Sequence, residues 1–521
     1  MNFPRVSLFI SFIIISFYST AQPITSPQID ALVEKTLTTF NVPGIAVAIV
    51  KDGKVIHEKG YGVSSIATKK KTNEHTLFGI ASNSKAFTAA ALGMLADEGK
   101  IKWTDRVVDY ITGFQLYNPY VTMNFTIADL LTHRSGLGLG AGDLMIWPDS
   151  NVFTKIDIIH NMRYLKPVSD FRTKYDYDNL LYIIAGEVVA KASGMTWEDF
   201  IETRIMKPLG MTESAASVQR TKNKTNTIDP HAPANGKLEV LDIHWSEIAN
   251  AAGGIYSSVQ DMSKWVIMQL NNGKYGDGLK NRLFSESVQQ QMWAPQTIIP
   301  VGKNSPYNTH FAAYGFGWRL SDEMGYKIVT HTGGLAGIVT QVTLIPELNL
   351  GIMVFTNQQV GAAFTAITNT IKDSYFGMPK VDRLKEYNTR VLENEANAKK
   401  ITDKIWKDVA DQQKSNNTKV DLNSFAGTYN DPWFGDIIIS LKSGKLIFNA
   451  VKSPRLRGEM MHYKANTFIV KWADRSMDAD AYVLFETDRE GIPVSIKMDA
   501  ISPLTDFSFD FQDLDFSRVK K

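Results

Sequence analysis

Cysteine is absent from all 521 residues. That excludes disulfides, thiolate–zinc sites, a cysteine nucleophile and a lipid-modified cysteine behind a cleavage site. An excess of charge is absent too, with 56 Lys and Arg against 54 Asp and Glu and a net charge of +2. Bulk electrostatics therefore lend no support to a nucleic-acid partner or a membrane-surface role. The nine histidines are scattered singly, without His-Glu-x-x-His or other close ligand spacing, and no Gly-rich phosphate loop occurs. The sequence thus predicts neither metal nor cofactor. Repeats and low-complexity tracts are also missing. The one long apolar run, Val6 to Phe17, is shorter than the ~20 residues a membrane-spanning helix needs.

That run reads instead as a targeting segment. Arg5 supplies the positive flank and Ser19-Thr20-Ala21 the small-x-small cleavage form, so residues 1–21 are expected to be a signal peptide and Gln22 the mature N-terminus. An uncleaved anchor is the alternative. The expectation is a secreted, periplasmic protein with no integral membrane segment after cleavage. With 44% hydrophobic and 21% charged residues, the chain has the composition of a globular protein with room for several cores. Nothing in it sets an oligomeric state.

The chain then opens with a helix: Ser26 as cap, Pro27 at its start, and Ile29, Leu32, Val33, Leu37 and Phe40 on one face. GIAVAIV (Gly44 to Val50) and KVIHEKGYG (Lys54 to Gly62) follow, joined through Asp52-Gly53, a strong hairpin signal. Helix, hairpin, helix suits an antiparallel sheet with helices packed on it better than alternating βαβ units. Strand signals return at Tyr314–Arg319, Tyr326–Thr330, Gly337–Ile345 and Gly351–Phe355.

The stretch Thr76 to Gly99 carries the first sign of chemistry. Ser82-Asn83-Ser84-Lys85 precedes a helical run in which Phe87, Ala90, Ala91, Met94 and Leu95 recur at three- and four-residue intervals. With Ser82 in the first turn, Lys85 stands one turn on along the same face, within reach of the serine hydroxyl. An ordinary serine is a poor nucleophile and needs such a neighbouring base. The helix start also offers free N–H groups to charge developing on oxygen. The same spacing recurs at Ser517 to Lys520, where no helical run follows, and is read as chance. Two further groups stand out. Tyr177-Asp178-Asn179, the only Tyr-x-Asn in the chain, lies just before a helix, where taken alone it reads as a half-buried aromatic. His331-Thr332-Gly333-Gly334 ends a strand, where the glycines let backbone approach a ligand closely. Alone, it reads as a strand ending in a glycine turn.

Together and in this order, Ser82-x-x-Lys85, Tyr177-x-Asn179 and His331-Thr332-Gly333 resemble the three active-site motifs of the penicillin-binding and serine β-lactamase superfamily. The likeness is closest to its class C β-lactamase-related branch, with DD-peptidases, D-aminopeptidases and esterases. LLTHRSGL, PLGM, AAGGIYSS and YGFGW are further matches, and the resemblance spans residues 28–375. It implies an α+β fold, an antiparallel β-sheet flanked by helices. It makes Ser82 the nucleophile of an acyl-enzyme, with Lys85 and Tyr177 sharing the base work in a division the sequence leaves open. Backbone N–H groups of Ser82 and Gly334 would form the oxyanion hole. Asn179, His331, Thr332 and Gly333 would bind a small-molecule or peptide substrate along the strand edge. Two departures bear on substrate. His331 stands where class C enzymes have lysine, and a neutral imidazole grips a carboxylate less than a permanent cation. Asp178, where the family often has serine, is expected to raise the pKa of Tyr177 and Lys85. D-amino-acid peptides, peptidoglycan fragments or esters are therefore favoured over β-lactams. A class C-like β-lactamase and a catalytically silent penicillin-binding or scaffold protein are the alternatives.

A catalytic domain over residues 22–378 and a charged helical linker over 379–420 are expected, ending in Ser415-Asn416-Asn417-Thr418. From 421 to 521 the short runs AGTYND, GDIIISL, KLIFNA, TFIVKW, AYVLFET, VSIKMDA and FSFDFQ predict a small all-β barrel or sandwich. It resembles the lipocalin-like domain appended to some members of the same family. The sequence leaves its role open among capping the cleft, oligomerisation and ligand binding.

Overall fold

A computed structural model describes residues 23–303, 305–414 and 420–520. The expected signal peptide and the 415–418 linker lie outside them. Helix α1 (Ser26–Thr39) leads into the hairpin of β1 (Gly44–Lys51) and β2 (Lys54–Gly62). Asp52 and Gly53 both take positive φ, at 52° and 72°, as a tight hairpin turn requires. Far along the chain come β3 (Thr297–Ile299), β4 (Ala312–Tyr314), β5 (Arg319–Glu323), β6 (Tyr326–Leu335), β7 (Ile338–Ile345) and β8 (Leu350–Thr356). These form one antiparallel sheet in the order β2-β1-β8-β7-β6-β5-β4-β3. The last six strands are a meander, and β8 returns to pair with β1, so the two ends of the catalytic region close one core.

Helices cover both faces. On one, α1 and α5 (Gly361–Tyr375) bury Ile29, Val33, Ile367 and Ile371 against the sheet. On the other lie α2 (Ser84–Asp97), α3 (Leu180–Ser193) and α4 (Val259–Leu270). Periodicity in α2 suggests a one-sided helix, yet every residue from Ser84 to Leu95 is buried. Its alanines and Gly93 explain this: a Cβ on Gly93 would stand 2.4 Å from Val288 Cγ1, so only small residues admit neighbours this close. Phe87 stacks on Trp265 of α4 at 3.9 Å between ring centres.

Two strand expectations need correcting. YGFGWR is not one strand: Tyr314 ends β4, Arg319 begins β5, and the residues between them turn, where Gly317 has φ +74° and lies so near α2 that a Cβ would be 2.7 Å from the Lys85 carbonyl oxygen. Nor does β6 stop at Thr330; it runs through His331-Thr332-Gly333-Gly334, paired with β7 throughout.

The long helix α6 (Arg383–Lys414) leads to a closed eight-stranded barrel. Its strands are β9 (Gly427–Asp431), β10 (Gly435–Lys442), β11 (Lys445–Ala450), β12 (Arg457–Lys464), β13 (Thr467–Trp472), β14 (Ala481–Thr487), β15 (Pro493–Ala500) and β16 (Phe516–Arg518). Closure comes from β9 pairing with β16. Strand β12 has no counterpart among the expected runs, and FSFDFQ (Phe507 to Gln512) is not the closing strand. That segment is a loop with one short turn, and its alternation serves the junction with the catalytic region. There Phe153 meets Phe434 at 6.0 Å, Trp147 meets Phe509 edge-on at 6.3 Å, and Asn161 Nδ2 donates to the Trp433 carbonyl at 2.7 Å. Apolar residues of both parts form one continuous core.

Candidate active site

Ser82 sits in a single 3-10 turn, Ala81–Asn83, feeding α2. Ala81 before it has φ +51°, a left-handed conformation that costs an L-residue ~1–2 kcal/mol. The neighbours hold it there. Asn83 Nδ2 donates to Ile80 O and Thr340 Oγ1, and Ser84 Oγ accepts from Ile255 N. Ser82 thereby faces a cleft of about 800 Å³, shared with Tyr177, Asn179, His331, Thr332 and Gly334.

Lys85 lies beneath it, fully buried. Its Nζ is 3.1 Å from Ser82 Oγ, 2.8 Å from Asn179 Oδ1 and 2.8 Å from the Ala252 carbonyl oxygen. Two of these partners are obligate acceptors, since Asn179 Nδ2 donates to Asp143 Oδ2 and so fixes the amide's orientation. A neutral amine has two N–H bonds and one lone pair; with both N–H bonds spent on carbonyls, the lone pair points at Ser82. Burial pulls the Lys85 pKa down to about 7, with the charges of Asp143 and Asp178 pulling the other way. Neutral pH therefore populates the free amine.

The tyrosine answers differently. Tyr177 is half-buried on the cleft wall with its hydroxyl enclosed, and desolvation drives its pKa well above 10, with Ser82 nearby lowering it only in part. Its hydroxyl has no hydrogen-bond partner of full geometry. Lys85 Nζ stands 4.8 Å from the centre of its ring. Behind it His133 packs at 4.3 Å, Nδ1 accepting from Asp178 N. Desolvation drives the His133 pKa well below 6.5, so the ring is neutral. Asp178 itself caps α3, Oδ1 accepting from Leu180 N, and burial raises its pKa to about 7. Its charge raises Lys85, as its place in the motif suggests; on Tyr177 the carboxylate that acts is Asp143.

His331 is neutral, its pKa lowered to about 3 by burial and by Lys85. Nδ1 lies 2.6 Å from the Thr332 carbonyl and Nε2 2.8 Å from Tyr314 Oη, so Nδ1 carries the proton and Tyr314 donates to Nε2. The imidazole is thus committed to protein partners. Gly333 does not border the cleft: a Cβ there would strike Ile80 O at 2.3 Å and Thr340 Oγ1 at 2.5 Å, so its smallness serves β6 packing on the Ser82 turn. Above Gly334 a Cβ would meet nothing within 4 Å. Pairing of β6 with β5 ends at Thr330, leaving that edge of β6 unpaired by β5 beside Ser82. Arg319, directly across from Thr330, lines the same cleft, and its charge reaches His331 and Tyr175. Among the described residues no cluster of three or more His, Asp or Glu is arranged to hold a metal ion.

Several contributors escape sequence reading. His133 and Tyr314 lie within quoted phrases, LLTHRSGL and YGFGW, but only the fold shows what they touch. Asp143 and Arg319 carry no motif signal. Phe507 from the barrel closes the cleft, edge-on to the Tyr177 ring at 5.9 Å.

Known proteins resemble this chain. The family model described as Beta-lactamase matches residues 29–374, and a "Domain of unknown function" model matches 411–518. Unguisins hydrolase ungD of Aspergillus violaceofuscus is 27% identical over 80% of this chain and 76% of its own. Protein flp of Staphylococcus aureus is 26% identical over 63% of this chain and 62% of its own. Unguisins hydrolase ungD' of Aspergillus campestris is 29% identical, the match covering 60% of that protein. The chain thus spans under two thirds of the latter two relatives. A solved octameric penicillin-binding protein homologue from Pyrococcus abyssi superposes over 95% of this chain and 100% of its own, with TM-score 0.59 and 19% identity, a likeness of fold.

Proposed function

We propose that this chain, which belongs to the Beta-lactamase family, is a secreted, periplasmic serine hydrolase that transfers an acyl group from an amide or ester to Ser82 and then to water. The observation that carries the reading is the Lys85 amine, buried, held by two carbonyl oxygens and aimed at Ser82 Oγ at 3.1 Å. In the resting site Lys85, not Tyr177, takes the Ser82 proton: an amine with pKa about 7 is poised for it, whereas the tyrosine keeps its proton. The Tyr177 hydroxyl then stands ready to pass a proton to the departing group. Charge on the carbonyl oxygen falls to the N–H groups of Ser82 and Gly334, each such donor being worth ~3–4 kcal/mol. Deacylation reverses the roles, with water in place of the leaving group.

Substrate choice follows from the cleft walls. An extended acyl donor fits the open edge of β6. With His331 neutral and occupied, and the Arg455 guanidinium on the same cleft ion-paired with Asp149, the cation left to meet a substrate is Arg319, which favours a donor with a carboxylate beyond the scissile bond. Peptides ending in D-residues and peptidoglycan-like fragments meet that description, and simple esters meet the acyl requirement. The "hydrolase" in the names of the two Aspergillus relatives is in keeping with the reaction class. The test is a turnover panel of D-amino-acid peptides, aryl esters and a cephalosporin, with Ser82→Ala as control. Turnover of peptides or esters that vanishes in the variant is expected. Cephalosporin hydrolysis far above the rest overturns the substrate ranking, and turnover surviving Ser82→Ala overturns the reaction.

A further inference from the structure

The barrel reaches the cleft through Phe507, Ser508 and Asp510, in the segment whose alternation imitates a strand. Phe507 meets Tyr177, and the next turn of contacts goes deeper. Asp510, fully buried, accepts from Gly142 N at 2.6 Å and from Leu144 N at 3.0 Å. It thereby clamps the short turn Asp143–Met145. Ser508 Oγ donates to Asp143 Oδ2 at 2.9 Å, the same oxygen that accepts from Asn179 Nδ2 at 2.8 Å. Asn179 in turn offers Oδ1 to Lys85. A continuous line of hydrogen bonds thus runs from the barrel to the catalytic amine. Docking two domains needs no such line. Burying a carboxylate is costly, and the surrounding apolar contacts already hold the junction.

We propose that Ser508 and Asp510 are positioning residues for the Ser82 reaction, holding Lys85 in its reactive orientation through Asp143 and Asn179, so that the barrel completes the active site. The inference rests on the reading of Ser82 given above. Its logic is one of amide orientation. Asp143, an acceptor placed by Ser508 and Asp510, keeps Nδ2 of Asn179 on its own side and Oδ1 toward Lys85. With Asp143 displaced, the amide is free to turn and present a donor to a donor, and the Lys85 lone pair is no longer aimed at Ser82. Lys85 is faced by Asp143 and Asp178, with Tyr177, Tyr182, His133 and His331 around it. Asp143 is faced by Asp178 and Asp510 as well as Lys85, and burial raises its pKa to about 8. Losing the Ser508 donor raises it further, which withdraws negative charge from Lys85 and lowers the Lys85 pKa.

The experiment compares full-length wild type, Ser508→Ala, Ser508→Thr, Asp510→Asn and Lys166→Ala, the last removing an exposed inter-domain ion pair with Asp515. A fluorophosphonate reports acylation of Ser82, p-nitrophenyl acetate reports kcat and KM across pH, and thermal unfolding reports folding. Ser508→Ala is expected to lower kcat about 10- to 100-fold with little change in KM, and to move the rising limb of the pH profile to lower pH. Asp510→Asn shows the same split, Ser508→Thr restores kcat, and Lys166→Ala changes none of it. Wild-type kcat and pH limb in folded Ser508→Ala, or an equal loss in Lys166→Ala, overturns the positioning role while leaving the serine mechanism intact. Wild type that is not acylated at Ser82 overturns the mechanism and the positioning role together.

Discussion

Two lysines are buried in the catalytic region, and their surroundings differ in one respect that matters. Lys372 on α5 is ion-paired directly with Glu323, close to the Arg383–Asp373 pair, with its ammonium 4.2 Å over the Tyr307 ring. Lys85 also lies over tyrosine rings, at 4.8 and 5.3 Å, but no carboxylate touches it; Asp143 acts from behind Asn179. Burial depresses both pKa values. For Lys372 the contacting carboxylate keeps the proton on the lysine, and the ion pair tethers α5 to the sheet. For Lys85 the nearest acceptors are neutral carbonyls, so the proton is easily surrendered and the freed lone pair has a serine before it. On the proposed mechanism, an interposed amide is what distinguishes the reactive buried lysine from the structural one.

The comparison can be broken from the catalytic side first. Lys85→Met is expected to lower kcat by about 100- to 10,000-fold, the usual contribution of a positioned base, with folding retained, as stopped acylation and an unchanged unfolding transition will report. Lys372→Met should invert the pattern. Stranding the Glu323 carboxylate costs ~3–5 kcal/mol of stability, read as a lower urea midpoint, while kcat per folded molecule stays at the wild-type value. A smaller effect belongs to Gly317→Ala. Its positive φ and the 2.7 Å approach to Lys85 O predict a loss of ~1–3 kcal/mol in stability, with a drop in kcat as α2 shifts. Phe507→Ala is the mildest, opening the cleft beside Tyr177 and changing KM for extended donors more than kcat.

Why one lysine was legible in the sequence and the other was not follows from the same contrast. Lys85 announces itself by a local spacing: it stands three positions after Ser82, and a helix turn converts that into contact. The hairpin at Asp52-Gly53 is equally local. Lys372 and Glu323 are distant in sequence, as are Asp143 and Ser508, and no periodicity encodes pairs that only the fold brings together. Local patterns also mislead. Phe507 to Gln512 alternates as a strand does, yet its two faces are divided between the barrel core and the Asp143 turn. The glycines of YGFGW look strand-like until Gly317 is seen pressed against α2. Gly333 suggests ligand access, but its missing side chain makes room for Ile80. The cation proposed to meet the substrate was least visible, because Arg319 stands beside the motif in space and not within it.

The most direct test is the pH dependence of Ser82 acylation by a fluorophosphonate, from about pH 5 to about pH 9, in wild type and Lys85→Met. Neutral Lys85 is the active form, so below its pKa the amine is protonated and acylation is slow. The rate should climb through a midpoint near the Lys85 pKa of about 7 and level off above it, whereas Lys85→Met should be slow with no such midpoint. A wild-type rate that does not rise through neutral pH, or a Lys85→Met variant acylated as fast as wild type, would contradict the account.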